Sequence, residues 1–515
     1  MNNNKKQALI LSIVAVVTLI ALVVGATYAY FKAQVGTGKS TDVKVTTYTT
    51  DMLTFTTGSA IGLYADQSSF GQEKGSLSGE TFAKATLVAN NKTNEATDNY
   101  YVYFNIENNT FKYTLGNDKP ELILTVTGPD GNEVTSLPGL TYKEVQDREN
   151  KPVKGFDVTT TNGIITIANK KTITATPSKE EQYTLKLTFV NYEDDQTANA
   201  TSTLSAKVMI QKKLILASYI TNLYTGTQGD NNIYYHDASL TNGAGDNSYR
   251  FAGASDAVNN YVCFGSNVTP CPTDNLYRII GVFGDKVKLI KSDYATTALL
   301  GADGDYSKMY TANSWDNSAY KGNNLANVAA YNWNKTGQNT WSLSNLNKTN
   351  LNKNFIANIG ADWAAKIADT TWKVGGNTYA KIRDAVPSVA YQNEIVSPVT
   401  TNSQDNATEL KAKIGLMYAS DYGFAAAPSA WTTNLYSYDG TAIKNVNWMY
   451  MGLVEWTISR TADDSNTAFD VGNTGLVYNN NVGDNAYAVR PVFYLSSSVN
   501  YVEGAGTQSS PIRIN

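Results

Sequence analysis

The sequence predicts an all-β sandwich, or jelly roll, over residues 30–212, followed by an α+β domain over residues 231–515. Three observations carry this. A chain of 515 residues is too long for one hydrophobic core. Its composition changes near residue 210, because all eight tryptophans, both cysteines and the one histidine lie beyond that point, whereas residues 36–212 are rich in Thr, Val, Asn and Lys. Before the break, short alternating or β-branched runs are separated by turn residues; after it, such runs flank helical spacing and long polar stretches.

The elements follow in chain order. Lys5 and Lys6 precede an apolar stretch from Ala8 to Gly25, interrupted by Ser12 and Thr18, which is the pattern of an export segment. Residues 1–29 are therefore expected to be a signal peptide or an N-terminal membrane anchor. Ala26 with Val24 before it, or Ala29 with Thr27 before it, offers the small residues that cleavage needs. From Tyr28 the stretch "TYAYFKAQV" is β-prone, suited to pairing with the sheet edge of another subunit. The protein is expected to be secreted or held at the cell surface, meeting a membrane only through this N-terminal segment.

The β runs are "VKVTTYTT", "KATLVAN", "YYVYFNI", "ELILTVTG", "IITIA", "YTLKLTFVN" and "STLSAKVMI". Turn chemistry lies between them at Gly128-Pro129-Asp130-Gly131 and Thr161-Asn162-Gly163. In residues 213–230, Leu216, Ile220 and Leu223 at helical spacing predict a helical connector that leads into a Gly/Asp/Asn loop. The α+β domain opens with "NYVCFG", "LYRIIGVF" and "KVKLIKSD", the last two joined by a Gly284-Asp285 hairpin turn. Helices are expected around "SLSNLNKTNLNKNFIANI" and "DWAAKIAD", and the strands "GLVEWTISR" and "AYAVRPVFYLS" close the domain, with its first and last strands paired.

These residues carry two resemblances. "ATYAYF", "STDVKVTTYTTDMLTF", "YVYFNIENNTF" and "ELILTVTGPDG" resemble the exported Gram-positive β-sandwich proteins of the camelysin and biofilm matrix-fibre family. That resemblance implies a jelly roll that self-associates at the cell surface by giving its N-terminal strand to a neighbour. "LVEWTISR" followed by "AYAVRPVFYL" is similar to the sulfatase-modifying-factor and C-type-lectin-like superfamily of bacterial surface proteins. The chain departs from its enzymatic members, which need a reactive cysteine pair at the substrate groove. It also lacks the calcium triplets of the lectins.

Composition excludes several function classes. Charged residues make up only 17%, the net charge is -4 and no basic block occurs, so nucleic acid is not expected as a partner. A single histidine, His236, cannot supply a site that needs two imidazoles, and two cysteines are too few for a structural zinc. His236 is expected as a solvated or hydrogen-bonded loop residue. Cys263 and Cys271, eight apart across a Gly/Pro loop in an exported chain, are expected to form a disulfide.

Asp303, Asp305 and Asp316 are oxygen ligands of the kind calcium takes. Lys308 and Ser314 stand where the helix-loop-helix template needs glycine and glutamate, so a polar surface loop is expected and no cofactor is assigned beyond calcium as the ion this loop would suit. Glu455, Arg460 and Arg490 are expected to form buried ion pairs that tie the domain's ends, the competing role being a catalytic acid with its partner. Trp315, Trp333 and Trp341, set among Asn, Tyr and Gly, are the candidate ligand-binding aromatics, with core packing the competing role at each; Trp363 and Trp372 are expected in the core.

The reading that results is an exported cell-surface or matrix protein. Its β-sandwich assembles or anchors it, and its lectin-like module adheres to a glycan or protein ligand without catalysis. The alternative is a surface enzyme that acts on wall glycan or peptide through two facing carboxylates in the C-terminal domain.

Overall fold

The computed structural model describes residues 51–65, 76–89, 95–311, 320, 325, 327–399 and 407–515. The export segment and the expected donor strand from Tyr28 lie outside these residues, as do "VKVTTYTT", Trp315 and Asp316. Among the described residues, no helix is long and apolar enough to cross a membrane. Strands dominate, arranged in several antiparallel sheets with few helices.

The first half holds two antiparallel sheets. One runs, in spatial order, Met52–Thr57, Leu77–Val88, Ser178–Phe189, Leu122–Thr127, Pro152–Asp157 and Tyr142–Gln146; the other runs Ile61–Tyr64, Thr203–Gln211, Ala96–Asn109 and Gly163–Ala175. They share one apolar core, to which the first sheet gives Ala83, Leu87, Leu124 and Leu187 and the second gives Val102, Phe104, Ile165 and Val208. Period-two burial explains the arrangement. Along Leu77–Val88, Thr81, Ala83, Ala85 and Leu87 are buried while the residues between them are not.

Both expected turns form. The amide of Gly131 donates to Gly128 O at 3.0 Å, and Gly163 takes a φ of +95° at the start of its strand. Gly163 also meets the second half. A Cβ there would lie 2.5 Å from Gly284 O, so the Gly284-Asp285 turn approaches this strand backbone to backbone. Beside it, Asn105 Nδ2 donates to Asp285 Oδ2 at 3.0 Å from a fully buried position.

The helix Leu216–Thr221 buries Leu216 and Ile220, and both join the apolar core of the second half. Thr166 and Ser218 share a hydrogen bond of 2.8 Å, which fixes the helix to the first half.

The second half is built on a seven-stranded sheet. Ile233–His236, Ser248–Phe251, Leu276–Phe283, Lys286–Lys291, Val492–Tyr494 and Ile414–Gly415 follow in spatial order, and Tyr261–Cys263 also pairs with Leu276–Phe283. The closing strand therefore pairs with one of the opening strands, with Leu289 opposite Phe493. The run "GLVEWTISR" forms Glu455–Thr461 in a separate four-stranded sheet, where every residue is buried. "SLSNLNKTNLNKNFIANI" becomes a π-helix, Leu346–Phe355, running into a short α-turn at Ile356–Asn358, and "DWAAKIAD" gives the helix Ala361–Ala364.

Cys263 and Cys271 are disulfide-bonded, their Cα atoms 5.9 Å apart. The bond staples a strand that also holds the end of the chain, since the Cys263 amide donates to Ile512 O at 2.9 Å and Arg513 Nη1 lies 3.1 Å from Cys263 Sγ. Replacing both cysteines with serine is expected to lower stability by about 2 to 3 kcal/mol, as closure of a short loop implies. Thermal melts of the variant and the oxidised parent check this.

Candidate functional site

Where the two halves meet, a cleft of about 770 Å³ opens, lined by residues of the first sheets, the connector and the edge of the seven-stranded sheet. Its aromatic wall is assembled from three segments. Tyr235 and Tyr249 stand directly opposite on adjacent strands, and their rings stack with centroids 4.5 Å apart. Tyr224, from the loop after the connector helix, meets Tyr249 edge-on at 5.7 Å. All three are half-buried, each with part of its surface accessible to solvent.

The wall is held in place by amide chemistry. Ile233–His236 is the edge strand of its sheet, and Gln228 takes both free backbone groups of Tyr235, accepting from its N–H and donating to its carbonyl at 2.9 Å each. Tyr235 OH donates to Asn247 Oδ1 at 3.3 Å. Burial pushes the Tyr235 hydroxyl up to about 12 and raises those of Tyr224 and Tyr249, so all three remain neutral donors and acceptors around neutral pH.

Asn162 and Asn222 line the cleft with Asn247, and among the described residues its only charged lining residues are Lys143 and Asp157. Such a surface suits a neutral, polyhydroxylated ligand: flat faces for stacking, amides and hydroxyls for bonding, and little charge to desolvate. Among the described residues, Asp157 is the one carboxylate that lines this cleft.

The tryptophans do something else. Trp333 and Trp341 are 0% and 1% exposed, packed ring to ring at 4.7 Å, and Trp333 Nε1 donates to Thr457 O at 2.9 Å. Neither offers a face to a ligand, so the expected aromatic surface at these two positions is corrected to core packing. Trp372 is buried, and Trp363, half-buried, packs edge-on against Phe264 at 5.0 Å.

His236 is not a loop residue. It ends a strand, fully buried, with Nδ1 accepting the Ala244 amide at 3.0 Å, and desolvation lowers its imidazole to about 3, so it is neutral. Asp305 is not a surface residue either. It is buried and accepts the amides of Leu346 at 2.8 Å and Lys335 at 3.2 Å, which joins the start of the π-helix to a turn. Asp303 accepts from Asn354 Nδ2 at 2.6 Å. Among the described residues, no group of three or more His, Cys, Asp or Glu is placed to hold a metal ion.

Glu455 and Arg490 form the buried pair the sequence suggests, with Arg490 Nε donating to Glu455 Oε2 at 2.7 Å and a second bond joining Arg490 Nη2 to Oε1. Arg460 is not Glu455's partner. Its guanidinium turns away to donate to the carbonyls of Val374 at 3.1 Å and Val399 at 3.3 Å.

Comparison with known proteins brings no match: no family model, no curated protein and no solved structure is similar to this chain.

Proposed function

We propose that the protein is an exported surface or matrix component that binds a neutral glycan in the tyrosine cleft between its halves. The observation that carries this reading is the wall of Tyr224, Tyr235 and Tyr249 set among asparagines with almost no charge. Export is supported by the charged and apolar N-terminal run and by the disulfide, which persists in oxidising surroundings. In this reading the first half is a jelly roll for assembly, the second is lectin-like, and self-association by a strand donated from Tyr28 onward belongs to the same proposal.

The test is an array of neutral and charged glycans probed with the purified chain, followed by titration of the strongest binder. Tyr249→Ala is expected to weaken binding by about 2 kcal/mol with the melting curve nearly unchanged, because the side chain is a half-buried stacking anchor. Charged glycans bound in preference to neutral ones, or affinity indifferent to Tyr249, would remove the cleft from the reading.

A further inference from the structure

Behind the seven-stranded sheet lies a lysine with very little to solvate it. Lys288 is on the strand Lys286–Lys291, and Asp421 is in the first turn of the helix Ala419–Ala425; each side chain is 1% exposed. Lys288 Nζ lies 2.5 Å from Asp421 Oδ2, the one acceptor it reaches among the described residues. Around it stand the rings of Tyr418, Tyr494, Phe283 and Trp372, at 4.7, 5.3, 5.4 and 5.8 Å. The rings compensate a cation in part but accept no ordinary hydrogen bond, so two of the three ammonium protons lack an oxygen partner.

We propose that Lys288 and Asp421 condense into an intramolecular amide that covalently ties this strand to this helix. The two groups are 133 residues apart in the chain and already in contact. Burial disfavours the charged amine and lowers the Lys288 ammonium, and passing one of its protons to the Asp421 carboxylate it touches gives the neutral amine that the step needs. The amine lone pair on Nζ then attacks Asp421 Cγ. A C–N bond forms, the Cγ–Oδ2 bond breaks, and Oδ2 leaves as water carrying two of the three protons of the original ammonium. Nothing is oxidised or reduced, and no co-reactant is needed.

The surroundings fit each part of that step. Oδ1 becomes the amide oxygen and carries negative charge in the tetrahedral intermediate. Arg250 Nη1 faces it at 3.7 Å, and both atoms are buried without a hydrogen-bond partner, so a cation is already aimed at the oxygen that needs it. Glu394 supplies a second carboxyl. It accepts the amides of Ala419 at 2.8 Å and Ser420 at 3.0 Å, immediately before Asp421, and it interacts electrostatically with both Lys288 and Asp421. Desolvation pushes Glu394 up to about 7, where a carboxyl both gives and takes a proton near neutrality. The product is neutral, which relieves the cost of keeping an ion pair in this pocket.

Intact-mass measurement and peptide mapping of the purified full chain, reduced and denatured, test the proposal. The expected result is a mass one water below that of the mature sequence, and a branched peptide joining Lys288 to Asp421. Lys288→Arg is expected to restore the missing water and abolish the branched peptide. Separate peptides with free Lys288 and free Asp421, recovered from folded parent chain, would overturn the link whether or not the variant folds. The outcome is independent of glycan binding, since none of these residues lines the cleft.

Discussion

Arg490→Ala is expected to destabilise the second half by about 3 to 5 kcal/mol, because it strands a carboxylate in a site with almost no solvent. Glu455 and Arg490 are 1% and 3% exposed, and the guanidinium also donates to Met449 O at 2.8 Å. Burial pushes the Glu455 carboxyl up, and Arg490 pulls it back. Without the arginine, Glu455 must either stay charged in a dry site or take up a proton, and both choices cost stability at neutral pH. The pair also has a mechanical position. Glu455 opens the buried strand Glu455–Thr461 and bridges to Ala488, two residues before Arg490.

A double variant separates the pair's own worth from the penalty of breaking it. Glu455→Gln with Arg490→Met removes both charges, so it is expected to lose less than Arg490→Ala alone. Denaturant melts at neutral pH read both. A loss under about 1 kcal/mol for Arg490→Ala would mean that this pair is not the tie between the strands.

The parts of the fold that were legible in the sequence have one face in a core and one in water. "KATLVAN" and "YTLKLTFVN" alternate because their strands do, and the turn residues between the runs occupy conformations that need them. The connector showed for the same reason, its apolar residues recurring at helical period on one buried side. What was misread is the polar middle of the second half. Asparagines around Trp333 and Trp341 suggest exposed loops, yet they are the interior's substitute for sheet hydrogen bonds. Buried Asn339 donates to the carbonyls of Thr461, Asp464 and Thr467, and buried Asn350 to those of Leu300 and Asp303. Irregular backbone can be buried when side-chain amides satisfy it, and such a segment is polar in composition although it is core.

The tyrosine cleft was hidden for a different reason. Tyr235 and Tyr249 are 14 positions apart and become neighbours only once their strands are in register, while Tyr224 arrives from the connector loop. His236 packs inward against Phe424 and Trp431, while Tyr235 beside it in the chain faces the cleft. Likewise, Lys288 in "KVKLIKSD" sits where alternation alone would place either a solvated lysine or a core residue. Only the fold brings Asp421 and Glu394 to it.

Asp470 should make stability fall as pH rises from about 4 to about 7. It lies fully buried on Thr467–Val471, with Oδ2 accepting from Asn480 Nδ2 at 2.9 Å and Oδ1 without a hydrogen-bond partner. Desolvation pushes its carboxyl up from 3.8 to about 7, and Tyr487 is the titratable neighbour that feels its charge. Between those two values the folded chain holds a proton that the unfolded chain has lost, so stability is fully present below about pH 4 and declines until about pH 7. Ionising the group in place costs on the order of 4 kcal/mol. Glu394, also raised to about 7, slopes the same way if it titrates freely, whereas His236, lowered to about 3, loses stability as pH falls. The curve of the parent chain therefore mixes opposite slopes below about pH 6.5, and the informative quantity is its difference from Asp470→Asn. The variant keeps the shape and removes the charge, so urea unfolding at about pH 5 and pH 8 should find it gaining on the parent by about 3 kcal/mol as pH rises. If the two curves stay parallel, Asp470 is already ionised in the folded chain, and its unpartnered oxygen must be satisfied by something that the burial of its strand does not exclude.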